Sequence, residues 1–213
     1  MRLAARESIV RGTLEHSQTG EFRVAKLYFR YGTMSSAKTL NLLAVAHNYK
    51  SQGKRILLIK PRLDDRFSEK AVVSRAGLTA EADLLVDADT ILDVTRFDGL
   101  HCALVDEAQF VSVSVIEQLR RLTQTHNVPV ICYGLRTDFK TQLFPGSKRL
   151  LELADTIEEV KVTCHLCNRK AIFNMRLLDG KPVSEGPQVQ LGGDESYAPT
   201  CCGCFLRRLP LSS

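Results

Sequence analysis

No stretch of the 213-residue sequence approaches the ~20 consecutive apolar residues of a membrane span, so no membrane partner is expected. The opening MRLAARESIVRGTLEHSQTG lacks the apolar core of a secretory signal, and Glu7 and Glu15 argue against an organelle transit peptide. Residues 1–25 read as a poorly ordered lead-in or a short extra element, and the chain as cytoplasmic. Tryptophan is absent, aromatics make up 7%, and no segment interleaves aromatic with basic residues. That argues against a stacking surface for nucleic acid, so no nucleic-acid partner is expected. There is no internal repeat and no low-complexity run. The length supports one globular domain, or one with a small satellite, and is too short for a two-lobed kinase or a helicase with two motor domains. The net charge of +5 is spread among acids, which permits nucleotide partners without demanding them.

What is present is organised. LYFRYG (27–32), RILLIKP (55–61), HCALVDEAQF (101–110) and VPVICYGL (128–135) are apolar runs of the kind buried in a parallel sheet. Between them, residues 40–53 have helical spacing, with Leu40, Leu43, Ala44 and His47 on one side, and residues 112–126 form an amphipathic helix. Residues 61–78 are polar and read as a loop. The alternation predicts an α/β fold with helices on both faces of the sheet. After about residue 156 the chain changes to short strand-like segments at 171–178 and 187–191, with many turn residues and close-set cysteines.

Gly32-Thr33-Met34-Ser35-Ser36-Ala37-Lys38-Thr39 follows a strand and opens a helix. It is a Walker A phosphate loop with Ala37 in place of the second glycine. Backbone N–H groups at a helix N-terminus face a polyphosphate, the lysine adds a point charge, and the threonine hydroxyl reaches Mg2+. Ala37 is the weakness, because a positive φ there costs a Cβ-bearing residue about 1 kcal/mol or more. The structural reading is a strand–turn–helix with an incidental Lys-Thr.

The run at Leu104-Val105 ends in Asp106 and Glu107. A strand-end aspartate helps hold Mg2+, and the adjacent glutamate can take a proton from an attacking hydroxyl. Alternation along a strand separates the two carboxylates onto opposite faces. Alone, such a pair is an ordinary solvated strand end; beside a phosphate loop it is a candidate reaction centre.

Seven cysteines stand at 102, 132, 164, 167, 201, 202 and 204. An odd count with close-set pairs suits metal binding better than a disulfide framework. Cys164-x-x-Cys167 and Cys201-x-x-Cys204 have the spacing of two knuckles that surround a tetrahedral, structural Zn2+. Cys202 and His165 are the alternative ligands. Cys102 and Cys132 lie in apolar runs and read as core thiols.

In this order, these features resemble the cytosolic, zinc-containing (type II) thymidine kinases. The resemblance runs from Lys26 to Cys204 through LYFRYGTMSSAKT, LLIKPRLDDRF with SRAGL, LVDEAQF, YGLRTDF with LFPGSKRLLELAD, and LGGDESYAPTC between the knuckles. It implies transfer of the ATP γ-phosphoryl to the 5′-hydroxyl of thymidine, with deoxyuridine a second acceptor. It implies a RecA-like phosphate-loop sheet at 26–156, a zinc-binding lasso at 157–208 that closes over the nucleoside, and a tail at 209–213. It also implies a homotetramer inhibited by thymidine triphosphate.

By position, the resemblance makes Glu107 the base. Gly32 to Thr39 with Asp106 become the ATP site, and Thr39 and Asp106 hold Mg2+. Asp64 and Arg66 belong to a loop near sugar and phosphates. Met34, Gln109, Phe110, Leu135, Phe139, Gly192, Gly193 and Tyr197 surround the nucleoside. Asn174 stands where some members of the family carry threonine near the thymine methyl. Arg75 and Arg136 read as solvated charges. The alternatives are a zinc-containing nucleic-acid-binding ATPase and a relative impaired by Ala37.

Overall fold

The computed structural model describes residues 24–62, 70–188 and 197–209. In chain order the elements are β1 (Leu27–Tyr31), α1 (Lys38–Ser51), β2 (Ile56–Pro61), β3 (Ala71–Val73), β4 (Thr79–Glu81), β5 (Leu84–Val86), β6 (Cys102–Val105), α2 (Val113–Thr125), β7 (Val130–Gly134), α3 (Pro145–Leu153), β8 (Thr156–Glu159), β9 (Phe173–Leu178), β10 (Lys181–Pro182), β11 (Tyr197–Thr200) and α4 (Cys202–Leu206).

Six strands form a parallel sheet in the order β5-β2-β6-β7-β1-β8. Alternation along the strands splits the core in two, because successive side chains point to opposite faces. Leu27, Phe29, Leu57, Ile59, Ala103, Val105, Val130 and Cys132 pack with Val115, Ile116 and Leu119 of α2 and Leu150 of α3. Leu58, Cys102, Leu104, Ile131 and Tyr133 pack on the opposite face with Leu42, Leu43 and Ala46 of α1. Ser112 caps α2, its hydroxyl accepting the Val115 N–H. The two cysteines in the sheet are core thiols, fully buried.

Three details differ from expectation. The inward face of α1 is Leu42, Leu43 and Ala46, while Ala44 and His47 are exposed. Apolar residues run almost continuously from Leu40 to Ala46, so periodicity does not choose a side and the sheet does. The stretch read as a loop at 61–78 contains β3, which pairs with β4 in an antiparallel hairpin. Strands β5 and β8 are short and partly exposed edges of the main sheet, and their weak apolar signal hid them.

The cysteine-rich part is an antiparallel sheet in the order β10-β9-β11. Tyr197 pairs with Arg176 and Thr200 with Phe173. The strand expected at 187–191 is absent at Pro187 and Gln188, and its other residues lie outside the described ones. No described helix is long and apolar enough to cross a membrane.

Candidate functional site

Loops that follow β1, β6 and β7 gather at the C-terminal ends of adjacent parallel strands, where open α/β sheets bind ligands. The first is the glycine-led loop. Its Gly32 N–H donates to Gly134 O at 3.2 Å. A Cβ on Gly32 would stand 2.4 Å from Ser36 Oγ and 2.5 Å from Val160 O, so only glycine fits. Ser35 and Ala37 take left-handed φ values of 60° and 62°. Among the described residues, the N–H groups of Ser35, Ser36 and Ala37 have no acceptor. With the first turn of α1 they form a nest of free donors suited to an anion.

Lys38 folds over this nest, donating from Nζ to Thr33 O at 2.6 Å and to Ser36 Oγ at 3.3 Å. Loss of hydration lowers its pKa to about 8, against the pull of Glu107 and Asp106. The Met34 N–H is taken by Asn174 Oδ1 at 2.8 Å, a contact from β9 to the loop. Asn174 is buried, and its Nδ2 donates to Thr137 O. In this structure its partners are backbone groups of the phosphate loop and of the loop after β7.

Strand β6 stops at Val105, and the Asp106 N–H still donates to Ile59 O at 3.0 Å. Glu107 then turns into the left-handed region, with φ 48° and ψ 40°. The two carboxylates therefore lie beyond the strand, and a left-handed turn, not strand alternation, sets their directions. Asp106 is buried, and Thr39 Oγ1 lies 3.3 Å from both of its oxygens. Burial and the neighbouring Glu107 push the Asp106 carboxyl up to about 7, while Lys38 and Thr39 pull it down. Asp106 and Thr39 together present hard oxygen donors beside a phosphate nest, a set that fits Mg2+.

Gln109 is 2% exposed and ties two of the loops together. Its Nε2 donates to Glu107 Oε2 at 2.5 Å and its Oε1 accepts the Leu135 N–H at 2.9 Å. Helix α3 supports the turn from behind. A Cβ on Gly146 would meet the carbonyls of Val111, Ala108 and Gln109 at 2.6–2.8 Å, Ser147 Oγ donates to Leu135 O at 2.6 Å, and Phe110 meets Phe144 edge-on at 5.6 Å.

The loop after β7 carries an aromatic side chain. Phe139 is buried, with the Arg176 guanidinium 5.0 Å from its ring centroid. Asp138 Oδ1 accepts the N–H groups of Lys140 and Gln142, and its Oδ2 accepts Gln188 Nε2 at 2.9 Å. Arg176 Nη1 donates to Pro187 O at 3.1 Å. Tyr197 stands beside Arg176 in the sheet, its hydroxyl pushed up by burial. Met34, Phe110 and Leu135 are partly exposed. Asp64, Arg66, Gly192 and Gly193 lie outside the described residues.

Cys164, Cys167, Cys201 and Cys204 place their sulfurs within 4.8 Å of one another. Cys167 and Cys201 are 3.6 Å apart, close to the ~3.8 Å between sulfurs around a tetrahedral zinc at ~2.3 Å. The Leu166 N–H reaches Cys164 Sγ and the Cys204 N–H reaches Cys201 Sγ, each at 3.4 Å, as knuckle turns provide. Burial opposes ionisation of Cys164, but backbone donors outweigh it and bring its thiol to about 7. Cys202 points out, exposed, and His165 is outside the cluster.

A thymidine kinase family model matches residues 25–205. The thymidine kinase of Lactococcus lactis is 46% identical over 180 residues, covering 84% of this chain and 95% of the relative. That of Lactobacillus acidophilus is 46% identical over 188 residues (84% and 94%), and that of Streptococcus thermophilus 45% over 182 (84% and 92%). The chain belongs to the thymidine kinase family.

For a thymidine kinase, sequence reasoning passed over two arginines. Arg176 sits on Phe139 from another strand, and no local spacing links them. Arg75, a solvated charge by its sequence context, is exposed, but its Nη1 donates to Ser35 Oγ of the phosphate loop. Arg136 donates to Ile172 O and lies over the Tyr31 ring, which makes it a structural contact.

Proposed function

We propose that the chain transfers the γ-phosphoryl group of ATP to the 5′-hydroxyl of thymidine, giving thymidine monophosphate for nucleotide salvage. The observation that carries this is the placement of Glu107, Lys38 and the loop amides together at the C-terminal ends of β1 and β6. Residues 26–156 act as the nucleotide-binding part and residues 157–208 as the zinc-held lasso over the nucleoside. Deoxyuridine is the second acceptor to test.

Glu107 accepts the proton of the 5′-hydroxyl as that oxygen attacks the γ-phosphorus. The bond from phosphorus to the β–γ bridging oxygen breaks, and ADP leaves with that electron pair. Lys38 and the amides of residues 33–38 hold the phosphates where charge accumulates. Asp106 and Thr39 hold Mg2+, which neutralises phosphate charge when bound. Gln109 is better read as orienting Glu107 than as touching the base, because it is buried and both ends of its amide are engaged. Phe110, Leu135, Phe139, Met34 and Tyr197 line the nucleoside pocket, with Gly192 and Gly193 in its lid and Asp64 and Arg66 near sugar and phosphates. The four clustered cysteines hold structural Zn2+. Both knuckles lie at the end of β9 and β11 away from the 179–196 connection, so the metal would clamp the base of the strand pair from which that connection extends. Assembly as a homotetramer and inhibition by thymidine triphosphate complete the reading.

The test is thymidine monophosphate formation from Mg-ATP, with deoxyuridine, deoxycytidine and single-stranded DNA in parallel and Glu107→Gln as control. Product with thymidine, lost in the control, supports the proposal. ATP hydrolysis driven by DNA but not by thymidine overturns it.

A further inference from the structure

The β3–β4 hairpin is built to present one side chain. Val72 is buried in the core beneath α1, and the buried Lys60 Nζ donates to Ala71 O at 2.8 Å. The turn at residues 74–78 is closed from inside by Ser74. Its N–H donates to Leu78 O at 2.8 Å, its hydroxyl accepts the Leu78 N–H at 3.0 Å, and its carbonyl accepts the Gly77 N–H at 3.0 Å. Gly77 supplies the left-handed φ of 84° that this turn requires. The next residue after Ser74 is Arg75, and its guanidinium reaches across to Ser35 Oγ at the crest of the phosphate loop. Ser35 itself is left-handed, with its N–H in the free nest.

We propose that Arg75 is a second cation of the phosphate site, binding the terminal phosphates of a nucleoside triphosphate held in the Gly32–Thr39 loop. This rests on reading that loop as the ATP site. Arg75 contacts Ser35 and Lys38 contacts Thr33 and Ser36 of the same loop, and Arg75 is among the charges acting on Lys38. A polyphosphate seated in the nest would meet both cations. A guanidinium fork also matches two phosphate oxygens at once, which an ammonium does not. Phosphoryl transfer draws on such placed positive charge more than on covalent chemistry. The hairpin is hydrogen-bonded and core-anchored, so the arginine comes to the loop on a rigid support.

The experiment compares wild type, Arg75→Ala, Arg75→Lys and Lys38→Ala. Steady-state kinetics with ATP varied at saturating thymidine, and with thymidine varied at saturating ATP, are run for each. Arg75→Ala is expected to lower kcat/KM for ATP by about 10- to 100-fold, the effect of a lost charged hydrogen bond, with KM for thymidine within about twofold. Arg75→Lys recovers part of this. Added guanidinium salt restores Arg75→Ala saturably and leaves Lys38→Ala inactive. Unchanged ATP kinetics in Arg75→Ala while Lys38→Ala is inactive would overturn the proposal and leave the loop reading standing. A loss that guanidinium does not restore, accompanied by an equal loss of thymidine affinity, overturns it as well, since that marks a structural role. Normal ATP kinetics in Lys38→Ala would remove the loop reading and the proposal with it.

Discussion

Gln109 clamps Glu107: its amide nitrogen lies 2.5 Å from Glu107 Oε2, and its amide oxygen takes the Leu135 N–H at 2.9 Å. One buried side chain thus sets the distance between the acid after β6 and the loop after β7. The glutamate's left-handed backbone leaves its carboxylate projecting from a tight turn, where a side-chain tether fixes its aim. Gln109→Leu removes both bonds at little cost in volume. It strands the Leu135 N–H, at about 1–3 kcal/mol, so the melting temperature falls by several degrees. Turnover falls further than stability explains, because Glu107 loses its orientation. A variant with normal kcat would show that the tether does not matter to the reaction.

Glu107→Gln keeps the shape of the side chain and removes the proton acceptor. Turnover is expected to fall about 10²- to 10⁴-fold, the usual range for a general base. Thymidine binding measured by calorimetry stays near wild type, since no apolar wall is touched. A loss of less than about tenfold would assign the proton to another group.

Ala37 holds φ 62° at the N-terminus of α1, a conformation that glycine adopts without the Cβ penalty. Ala37→Gly is expected to stabilise the fold by about 1 kcal/mol, which for a chain of this size raises the melting temperature by about 2–4 °C. Turnover is expected to hold or rise. A drop in melting temperature would mean that the Cβ makes a contact worth more than the strain.

Metal removal acts on the lasso first. The knuckles join the segments before β9 and after β11, at the end of that pair away from Tyr197, so a strong chelator would unclamp the base of the pair. Hydrogen exchange is expected to rise across β9 and β11 before it rises in β1, β6 or β7, and thymidine affinity is expected to fall with it. Uniform loss of protection across both sheets would show that zinc supports the whole fold.

Thiol titration reads the same arrangement at pH 8. Cys102 is buried, and loss of hydration raises its pKa to about 12; burial pushes Cys132 up as well. Both are protonated at pH 8, since each titrates far above it, and only the thiolate reacts. With zinc bound, the four cluster cysteines would be shielded from the reagent. Cys202 alone among the seven is exposed. One fast-reacting thiol is therefore expected in the zinc-loaded protein, and none in Cys202→Ser. Additional fast thiols would mean an open zinc site.

Much of the molecule is written locally in the chain. The strands at 27–31, 56–61, 102–105 and 130–134 are legible because burial on both faces demands continuous apolar runs. The phosphate loop, the Asp106-Glu107 pair and the two knuckles are legible because each needs its residues at fixed short spacings. The C-x-x-C spacing favours Cys201 over Cys202, and the cluster holds Cys201.

Tertiary structure decided what spacing does not encode. The inward face of α1 was set by the sheet, since its apolar residues encircle the helix. The hairpin that delivers Arg75 was hidden in a polar stretch, because a short edge pairing needs few apolar residues. Asn174 reaches the Met34 N–H across 140 residues of sequence, and Arg176 reaches Phe139 from a different sheet. By itself the sequence determined the parallel sheet, the metal ligands and the chemistry available at the ends of β1 and β6. Only the folded chain decided which buried amide aims the glutamate and which arginines face the loops. Local motifs are fixed by covalent spacing, whereas these contacts exist only once the strands and the two sheets have packed.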